Sequence, residues 1–358
     1  MTIGRSKSIL LAAVVLGAVL YYQLVPTVER VPPVEHEPSF GDNFYDVAIQ
    51  DELVWIVGYY GTILRSRDRG LSWELQASDT REALFRVSFI DSNEGWISGS
   101  YGTILHSRDS GKTWQVQATP LEEHLFGLHF IDARRGWAVG SRGTVLVTED
   151  GGSTWIDRSI GEDVILNDVR FLDAKEGWAV GEFGRIYRTV DGGHNWTRQN
   201  SPTEVPLVSG ESRNLFRLLL TDDGMGWAFG LDGVILATEN GQSWTLSNAD
   251  SAADGDASRY HLFSASAVNG HKWAVGERGT VWVAAATGEW HPADLKAPPV
   301  SLNGIAFGRD GLGLIVGNRG MILRSSDAGK HWHHIGTAPR HSGKGVSPDD
   351  DASGRMDR

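Results

Sequence analysis

One sequence unit occurs seven times along the chain at a nearly fixed spacing. Six copies begin at a tryptophan, and the last begins at Leu314, where "LIVGNRGMILRSSDAGKHW" keeps the rest of the pattern. The tryptophans are Trp55, Trp96, Trp137, Trp178, Trp227 and Trp273, and the spacings through Leu314 are 41, 41, 41, 49, 46 and 41 residues. Such a period indicates copies of one supersecondary unit that must stack to bury its apolar surface.

Each unit reads as four short strands that are separated by turn residues. In the second copy the segments are "FRVSFID", "GWISG", "GTILHS" and "WQVQ". The second and third segments are almost continuously apolar, which is typical of strands that are buried on both faces. After residue 40 the sequence shows no sustained 3.6-residue periodicity, so helical repeats are disfavoured.

Seven such units predict an all-β fold, a seven-bladed β-propeller of four-stranded antiparallel blades. In this fold each blade packs between two neighbours, which explains why the unit is copied. A linear β-solenoid is the main alternative, but it predicts shorter repeats and atypical terminal copies. The first and last units here keep nearly the full pattern, as a closed ring requires.

The connection between the third and fourth strands has its own motif. "SRDSGKTW", Ser107–Trp114, recurs as "SRDRGLSW", "TEDGGSTW", "TVDGGHNW" and "SSDAGKHW", is shortened to "TENGQSW" in the fifth unit, and is reduced to "AAATGEW" in the sixth. The Asp side chain can accept backbone N–H bonds, the Gly can supply a positive φ, and the Trp can pack between blades. These residues predict a stabilised turn and require no chemistry.

The motif S/T-x-D-x-G-x-S/T-W resembles the Asp-box, or bacterial neuraminidase repeat. The longer pattern, G-W-x-V-G-x-x-G-x-I-L-x-S/T-x-D-G-G-x-x-W, is similar to the photosystem II stability and assembly factor family over about residues 44–335. The resemblance implies an exported or luminal seven-bladed propeller that acts as a non-enzymatic assembly factor in photosynthesis. The chain departs from the lipoproteins of that family because it has no cysteine to lipidate, and we expect it to lack a plant transit peptide.

The composition argues against several classes of partner and of chemical site. The formal net charge of −12 argues against a nucleic-acid partner, because phosphate contacts need a surplus of Lys and Arg. The absence of cysteine excludes disulfides, thiolate metal sites and thiol nucleophiles. A hydrophobic content of 41% is ample for a large core.

The N-terminus predicts a membrane anchor. Arg5 and Lys7 precede the apolar run "ILLAAVVLGAVLYYQLV", Ile9–Val25, which has 17 residues and no small-residue cleavage site after it. We therefore expect an uncleaved single-pass anchor over residues 1–26 in the cytoplasmic membrane, a linker over 27–40, a propeller over 41–337 on the periplasmic side, and a disordered tail over 338–358. The alternative is a cleaved signal peptide that releases the protein to the periplasm.

The predicted binding surface is the face that carries the turns between the second and third strands. The residue before the middle Gly of each turn varies, and across the seven units it is Tyr60, Tyr101, Arg142, Phe183, Asp232, Arg278 and Arg319. Arg and aromatic residues are enriched where proteins bind proteins. The connections between blades are expected to add Arg81, Arg86, Arg213 and Arg217. We predict that a monomeric propeller binds a membrane protein or membrane complex through Tyr60, Tyr101, Arg142, Phe183, Arg278 and Arg319, with Arg86 and Arg217; solvated turn residues are the alternative.

An Asp-box glycoside hydrolase or carbohydrate-binding propeller, sialidase-like, is the competing function. Its chemistry needs two facing carboxylates, and nothing in the sequence fixes the separation of the candidates in the blade connections, Glu122, Glu123, Glu162 and Asp163. Alternation puts His331 and His333 on one strand face, but no third metal ligand is evident. We therefore predict no catalytic residue, no metal and no cofactor.

Overall fold

The computed structural model describes residues 42–204, 213–221, 224–247, 260–285, 289–293, 295 and 298–335. Within them the chain forms seven four-stranded sheets, and all strand pairs are antiparallel. Every sheet takes its strands in chain order, so each blade is one continuous repeat. This confirms the seven-bladed propeller predicted from the repeat.

The four strands of each blade are called A to D from the centre of the ring outwards. Strands A are β1 (Phe44–Gln50), β5 (Leu84–Phe89), β9 (Leu125–Phe130), β13 (Leu166–Phe171), β17 (Leu215–Leu220), β21 (Leu262–Val268) and β25 (Leu302–Phe307). Strands B are β2 (Leu53–Gly58), β6 (Gly95–Gly99), β10 (Gly136–Gly140), β14 (Gly177–Gly181), β18 (Gly226–Gly230), β22 (His271–Gly276) and β26 (Gly313–Gly317). Strands C are β3 (Ile63–Ser66), β7 (Ile104–Ser107), β11 (Val145–Thr148), β15 (Ile186–Thr189), β19 (Ile235–Thr238), β23 (Val281–Ala284) and β27 (Ile322–Ser325). Strands D are β4 (Glu74–Gln76), β8 (Gln115–Gln117), β12 (Ile156–Asp157), β16 (Thr197–Gln199), β20 (Thr245–Leu246), β24 (Trp290–Pro292) and β28 (His333–His334).

The ring closes by packing between the seventh blade and the first. Each strand A contacts the strands A of its two neighbours, and β1 contacts both β5 and β25. At the seam, Asn303 Nδ2 donates a hydrogen bond to the Phe44 carbonyl oxygen at 2.7 Å. The Gly320 amide donates to the Asp42 carbonyl oxygen at 2.9 Å. Because each described sheet is built from consecutive strands, closure rests on these contacts between blades.

The Asp-box turn folds around its carboxylate, as the motif predicts. In the second blade, Asp109 Oδ1 accepts hydrogen bonds from the Lys112 and Thr113 amides at 3.1 and 3.0 Å. The Thr113 hydroxyl donates to Asp109 Oδ2 at 2.8 Å. The Ser107 hydroxyl oxygen accepts from the Gly111 amide at 2.8 Å, and Gly111 has a φ of +73°. The turn therefore satisfies its own backbone donors.

The same turn also holds neighbouring blades together, which the sequence did not reveal. In the first four blades, the strand B tryptophan donates its indole N–H to a carbonyl in the next blade's Asp-box. The bonds are Trp55 to Ser110 at 3.0 Å, Trp96 to Gly151 at 3.1 Å, Trp137 to Gly192 at 2.8 Å and Trp178 to Gly241 at 2.7 Å. In the seventh blade, where Leu314 replaces the tryptophan, Arg324 Nε instead donates to the Arg69 carbonyl oxygen at 2.7 Å.

In the part of the chain that the structure describes, no helix is long and apolar enough to cross a membrane. The anchor predicted over residues 1–26, the linker over 27–40 and the tail over 338–358 lie outside the described residues.

Candidate functional site

The turns between strands B and C share one face of the propeller, called the rim face; the Asp-box turns share the opposite face, called the Asp-box face. The central residue of every rim turn has a left-handed backbone, and the next residue is a glycine with positive φ. These central residues are Tyr60, Tyr101, Arg142, Phe183, Asp232, Arg278 and Arg319, with φ between 50° and 59°. Two successive positive φ angles are the geometry of a type I′ hairpin turn.

The side chains at these positions are not the ones that the turn itself prefers. The first position of a type I′ turn favours Asn, Asp or Gly, and only Asp232 conforms. A bulky residue in this conformation costs roughly 1 kcal/mol or more. Because that cost recurs in six of seven turns, the three arginines and three aromatic residues are expected to serve a purpose other than turn formation.

Most of these side chains are exposed on the rim face. Arg142 keeps 75% of its side chain exposed although Nη1 lies 3.2 Å from Glu123 Oε1. Arg278 lies over the Tyr260 ring at 5.4 Å, and Arg319 and Tyr101 are also exposed. Tyr60 and Phe183 are half-buried. The six predicted rim residues therefore present both cationic and aromatic groups on one face.

The rim turns are held in place from the next blade. In four of them the amide of the central residue donates a hydrogen bond to the side chain that precedes the next strand A. The bonds run from Tyr101 to His124 Nδ1 at 3.3 Å, Phe183 to Asn214 Oδ1 at 3.3 Å, Asp232 to His261 Nδ1 at 3.1 Å and Arg319 to Asn43 Oδ1 at 3.0 Å. A binding surface built on such fixed turns needs little ordering when a partner docks.

Aromatic rings also lie at the second position of strands A, where each strand starts at the rim face. This group, called the aromatic mouth, comprises Tyr45, Phe85, Phe126, Phe216 and Phe263, all half-buried. Rings on adjacent blades meet, with centroids 5.8 Å apart for Tyr45 and Phe85 and 5.1 Å apart for Phe85 and Phe126. The His124 ring lies 4.7 Å from Tyr101 and 6.0 Å from Phe126, so aromatic surface continues from the rim inwards. Sequence reasoning missed this group, although a phenylalanine starts several of the first segments.

Arg86 and Arg217 do not lie in the blade connections, so that part of the prediction is wrong. Both belong to strands A, β5 and β17, and each is only 7% exposed. Residues Arg81 and Arg213 do lie exposed in connections, as expected. In β5 and β17 the register shifts between the first residue and the arginine, as it does at the start of strand A in the other blades, and both arginines lie buried.

The two buried arginines face two buried carboxylates at the centre of the ring. Arg86 Nη1 lies 3.7 Å from Asp46 Oδ1, and Arg86 Nη2 lies 3.6 Å from Asp168 Oδ1. Arg217 Nη2 lies 3.8 Å from Asp46 Oδ1, and its Nε lies 3.8 Å from Asp168 Oδ2. Arg170 Nε approaches Asp168 Oδ2 at 3.6 Å. These five residues are called the channel cluster.

Inside the channel cluster, burial and ion pairing have opposite effects on the pKa of Asp168. Burial alone would raise the pKa of Asp168, but Arg170, Arg86 and Arg217 together hold that pKa below its usual value. The Leu218 amide adds a hydrogen bond to Asp168 Oδ2 at 2.9 Å. Burial lowers the pKa of Arg217 to about 9, and the charge of Arg86 adds to that effect. The cluster is therefore an ion-paired part of the core, in contrast to the exposed rim arginines.

Two of the four candidate carboxylates of the hydrolase alternative are paired with arginines rather than with each other. Glu162 accepts hydrogen bonds from Arg185 and, at 3.1 Å, from the Tyr187 hydroxyl. Glu123 pairs with Arg142, while Glu122 and Asp163 are exposed. His331 Nδ1 lies 2.6 Å from Asp327 Oδ2 inside an Asp-box, and His333 is exposed on β28. The described residues contain no group of three or more His, Cys, Asp or Glu side chains that could hold a metal ion.

Solved structures with the same fold carry descriptions of quite different proteins. The chain is 22% identical to a structure described as YCF48 bound to D1 peptide, covering 81% of this chain and 93% of that chain with a TM-score of 0.63. YCF48 from Cyanidioschyzon merolae is 19% identical, with 79% and 95% coverage and a TM-score of 0.61. A GH74 xyloglucanase from Xanthomonas campestris is 14% identical, with 84% and 55% coverage and a TM-score of 0.65. At these identities the likeness shows the fold alone.

The family is identified from the sequence match rather than from the structural likeness. A search of curated protein sequences found no significant match. The family model for the photosynthesis system II assembly factor YCF48 matches residues 34–128, 112–207 and 157–266, which together span more than half of the chain. The chain therefore belongs to the YCF48 photosystem II assembly factor family.

Proposed function

We propose that this protein is a non-enzymatic assembly or stability factor that binds a membrane protein through its rim face. The observation that carries the proposal is the set of arginine and aromatic side chains at left-handed turn positions, where the turn would prefer Asn, Asp or Gly. Family membership supports the same function, since a YCF48 structure is described with a bound D1 peptide.

The chemistry of the rim face indicates the kind of segment that it would bind. Exposed Arg142, Arg278 and Arg319 suit carboxylates, although the whole chain carries a formal charge of −12. The aromatic mouth offers half-buried rings to apolar side chains. A peptide segment with both apolar and acidic residues, such as a loop or terminus of a membrane protein, matches this combination.

The same proposal includes anchoring of the propeller close to its partner. The apolar run Ile9–Val25 behind Arg5 and Lys7 supports a single-pass anchor in the cytoplasmic membrane with the propeller on the periplasmic side. Release to the periplasm after cleavage is the alternative. Fractionation of the full chain and of a variant lacking residues 1–26 tests this: membrane association that survives the deletion, or a mature protein that begins after the apolar run, contradicts the anchor.

The binding proposal is tested by charge reversal on the rim face. Arg142→Glu, Arg278→Glu and Arg319→Glu are combined in the full chain, and binding of a D1 peptide and recovery of cross-linked membrane proteins are measured. We expect both to fall at least tenfold, because three attractive charges become repulsive.

The matched control reverses three cations on the Asp-box side of the propeller. Lys112, Lys175 and Lys330 are exposed there, and their replacement by Glu changes the net charge equally. Equal loss of binding in both variants would make the effect one of net charge and contradict the rim face. Binding to other membrane proteins with no affinity for the D1 peptide would retain rim-face binding but exclude D1 as the partner.

A further inference from the structure

A cavity of about 370 Å³ lies beside the channel cluster, away from the rim face. The C-terminal halves of strands A from the third to the sixth blade line it. Its polar lining includes His129, Arg170, Arg217 and Ser266. Since strands A run from the rim face towards the Asp-box face, the cavity lies on the Asp-box side of the cluster. It is therefore distinct from the aromatic mouth and from the exposed rim arginines.

The charges around this cavity do not cancel. The channel cluster contains three guanidinium groups and two carboxylates, which leaves one net positive charge. His129 adds no charge, because burial, followed by the nearby charge of Arg170, lowers its pKa to about 3. Its Nδ1 accepts a hydrogen bond from the Phe171 amide at 3.1 Å, so the neutral ring carries its proton on Nε2.

Several buried N–H groups of the cluster also lack acceptors. Arg217 Nε and Nη1 and Arg86 Nε have no hydrogen-bond partner, although the side chain of Arg217 is only 9% exposed. The oxygens Asp46 Oδ1 and Asp168 Oδ1 also lack one, so three donor atoms stand against two acceptor atoms. The carboxylate oxygens lie 3.6 to 3.8 Å from the guanidinium nitrogens of Arg86 and Arg217, beyond ordinary hydrogen-bond distance. Buried donors are normally satisfied, and a guanidinium presents them in a planar fork that fits oxyanions.

We propose that this cavity binds a small oxyanion, a phosphate or a small organic carboxylate, through Arg170 and Arg217. One such anion neutralises the excess charge and supplies acceptors to the unpartnered N–H groups of Arg217. The Ser266 hydroxyl and the His129 ring lie along the same cavity and offer further hydrogen bonds. Anion binding in this cavity does not involve the rim face, so it can be tested independently of the proposed protein-binding function.

The experiment titrates the purified full chain in detergent with inorganic phosphate at pH 7 and constant ionic strength. Calorimetry and ³¹P NMR follow binding. We expect saturable binding of one phosphate, and we expect Arg170→Gln to weaken it at least tenfold. Arg188→Gln is the matched control, because Arg188 is similarly half-buried but pairs with Glu176 outside the channel, with Nη2 2.6 Å from Glu176 Oε1. It should leave the affinity unchanged.

Acetate serves as the second probe and distinguishes the two sources of the oxyanion. Competition between acetate and phosphate supports one shared site, and binding of only one identifies its class. Absence of saturable binding for both up to roughly 50 mM overturns the proposal, as does equal affinity in the Arg170→Gln and wild-type proteins. If Arg170→Gln does not fold, the wild-type protein decides: phosphate must raise its Tm above that in chloride of equal ionic strength, and no rise refutes the site.

Discussion

The link between a strand B tryptophan and the next blade's Asp-box predicts different costs for removing tryptophans that look alike in sequence. Trp137 donates its indole N–H to the Gly192 carbonyl oxygen at 2.8 Å and stacks on Phe171 at 3.6 Å between ring centroids. Trp273 is the repeat's equivalent in the sixth blade, but its buried indole N–H has no partner. Its ring lies 5.9 Å from Phe307 at an angle of 44° and 5.8 Å from Trp332 at 68°. Leu314 shows that the ring tolerates leucine at this position.

The comparison is therefore between Trp137→Leu and Trp273→Leu. Both changes remove a buried indole and leave a cavity, which costs about 2–5 kcal/mol in each case. Both changes also remove aromatic pairs, worth about 0.5–1.5 kcal/mol each. Only Trp137→Leu loses a hydrogen bond, worth about 1 kcal/mol. We expect Trp137→Leu to be the more destabilising by about 1 kcal/mol.

Equilibrium unfolding in urea and differential scanning calorimetry on the full chain measure this difference. A gap of about 1 kcal/mol corresponds to roughly 2 °C in Tm for a protein of this size. Equal destabilisation by the two substitutions, or a larger effect at Trp273, would refute the argument that the Asp-box joins neighbouring blades through the indole.

Three further perturbations probe the turns. The Asn195 side chain, more than its backbone amide, lowers the pKa of Asp191 to about 2, so its stabilisation should be present above about pH 4 and fade towards pH 2; the Tm gap between wild type and Asp191→Asn should shrink over that range, and a constant gap contradicts it. Arg319→Gly should raise stability by up to about 1 kcal/mol in urea unfolding, because φ is +59°, while weakening partner binding; destabilisation would contradict the strain argument. Gly143→Ala should destabilise by about 2 kcal/mol or more, since its φ is +66° and a Cβ would lie 2.4 Å from the Glu162 carbonyl oxygen; a neutral result in the same assay contradicts it.

The repeat was enough to predict the architecture because each unit carries complete local information. Within about 41 residues, the apolar runs specify four strands, and the glycines of the rim turn and the Asp-box specify the turns between them. The structure has those strands in chain order. The rim residues could also be placed, since Tyr101 or Arg142 is fixed by its position before a turn glycine. Sequence patterns within one repeat were thus enough to predict the features whose contacts lie within that repeat.

The channel cluster escaped sequence analysis because its contacts join distant blades. Asp46 and Arg217 are far apart in the chain, and no periodic pattern pairs them. Four of the five residues share the third position of strand A, but the equivalent positions in the third and seventh blades are Gly127 and Gly304, so the charge is not a constant feature of the repeat. The register shift between Leu84 and Arg86 also breaks the simple alternation that would have assigned Arg86 to a face. Its burial could be found only from the closed ring.

The Asp-boxes explain why likeness to hydrolase propellers is weak evidence of catalysis. Asp109 uses both carboxylate oxygens within its own turn, and hydrogen bonds from Thr113, Ser107 and Lys112 outweigh burial and lower its pKa. A carboxylate held in its ionised form by such bonds is a poor general acid, because that role needs a pKa raised towards the working pH. In this chain the Asp-box serves to close turns and, through the carbonyls that receive the tryptophan N–H groups, to hold adjacent blades together. Function must therefore be sought in the side chains that the turns do not consume, and on the rim face those are the arginines and aromatic rings that strain the backbone.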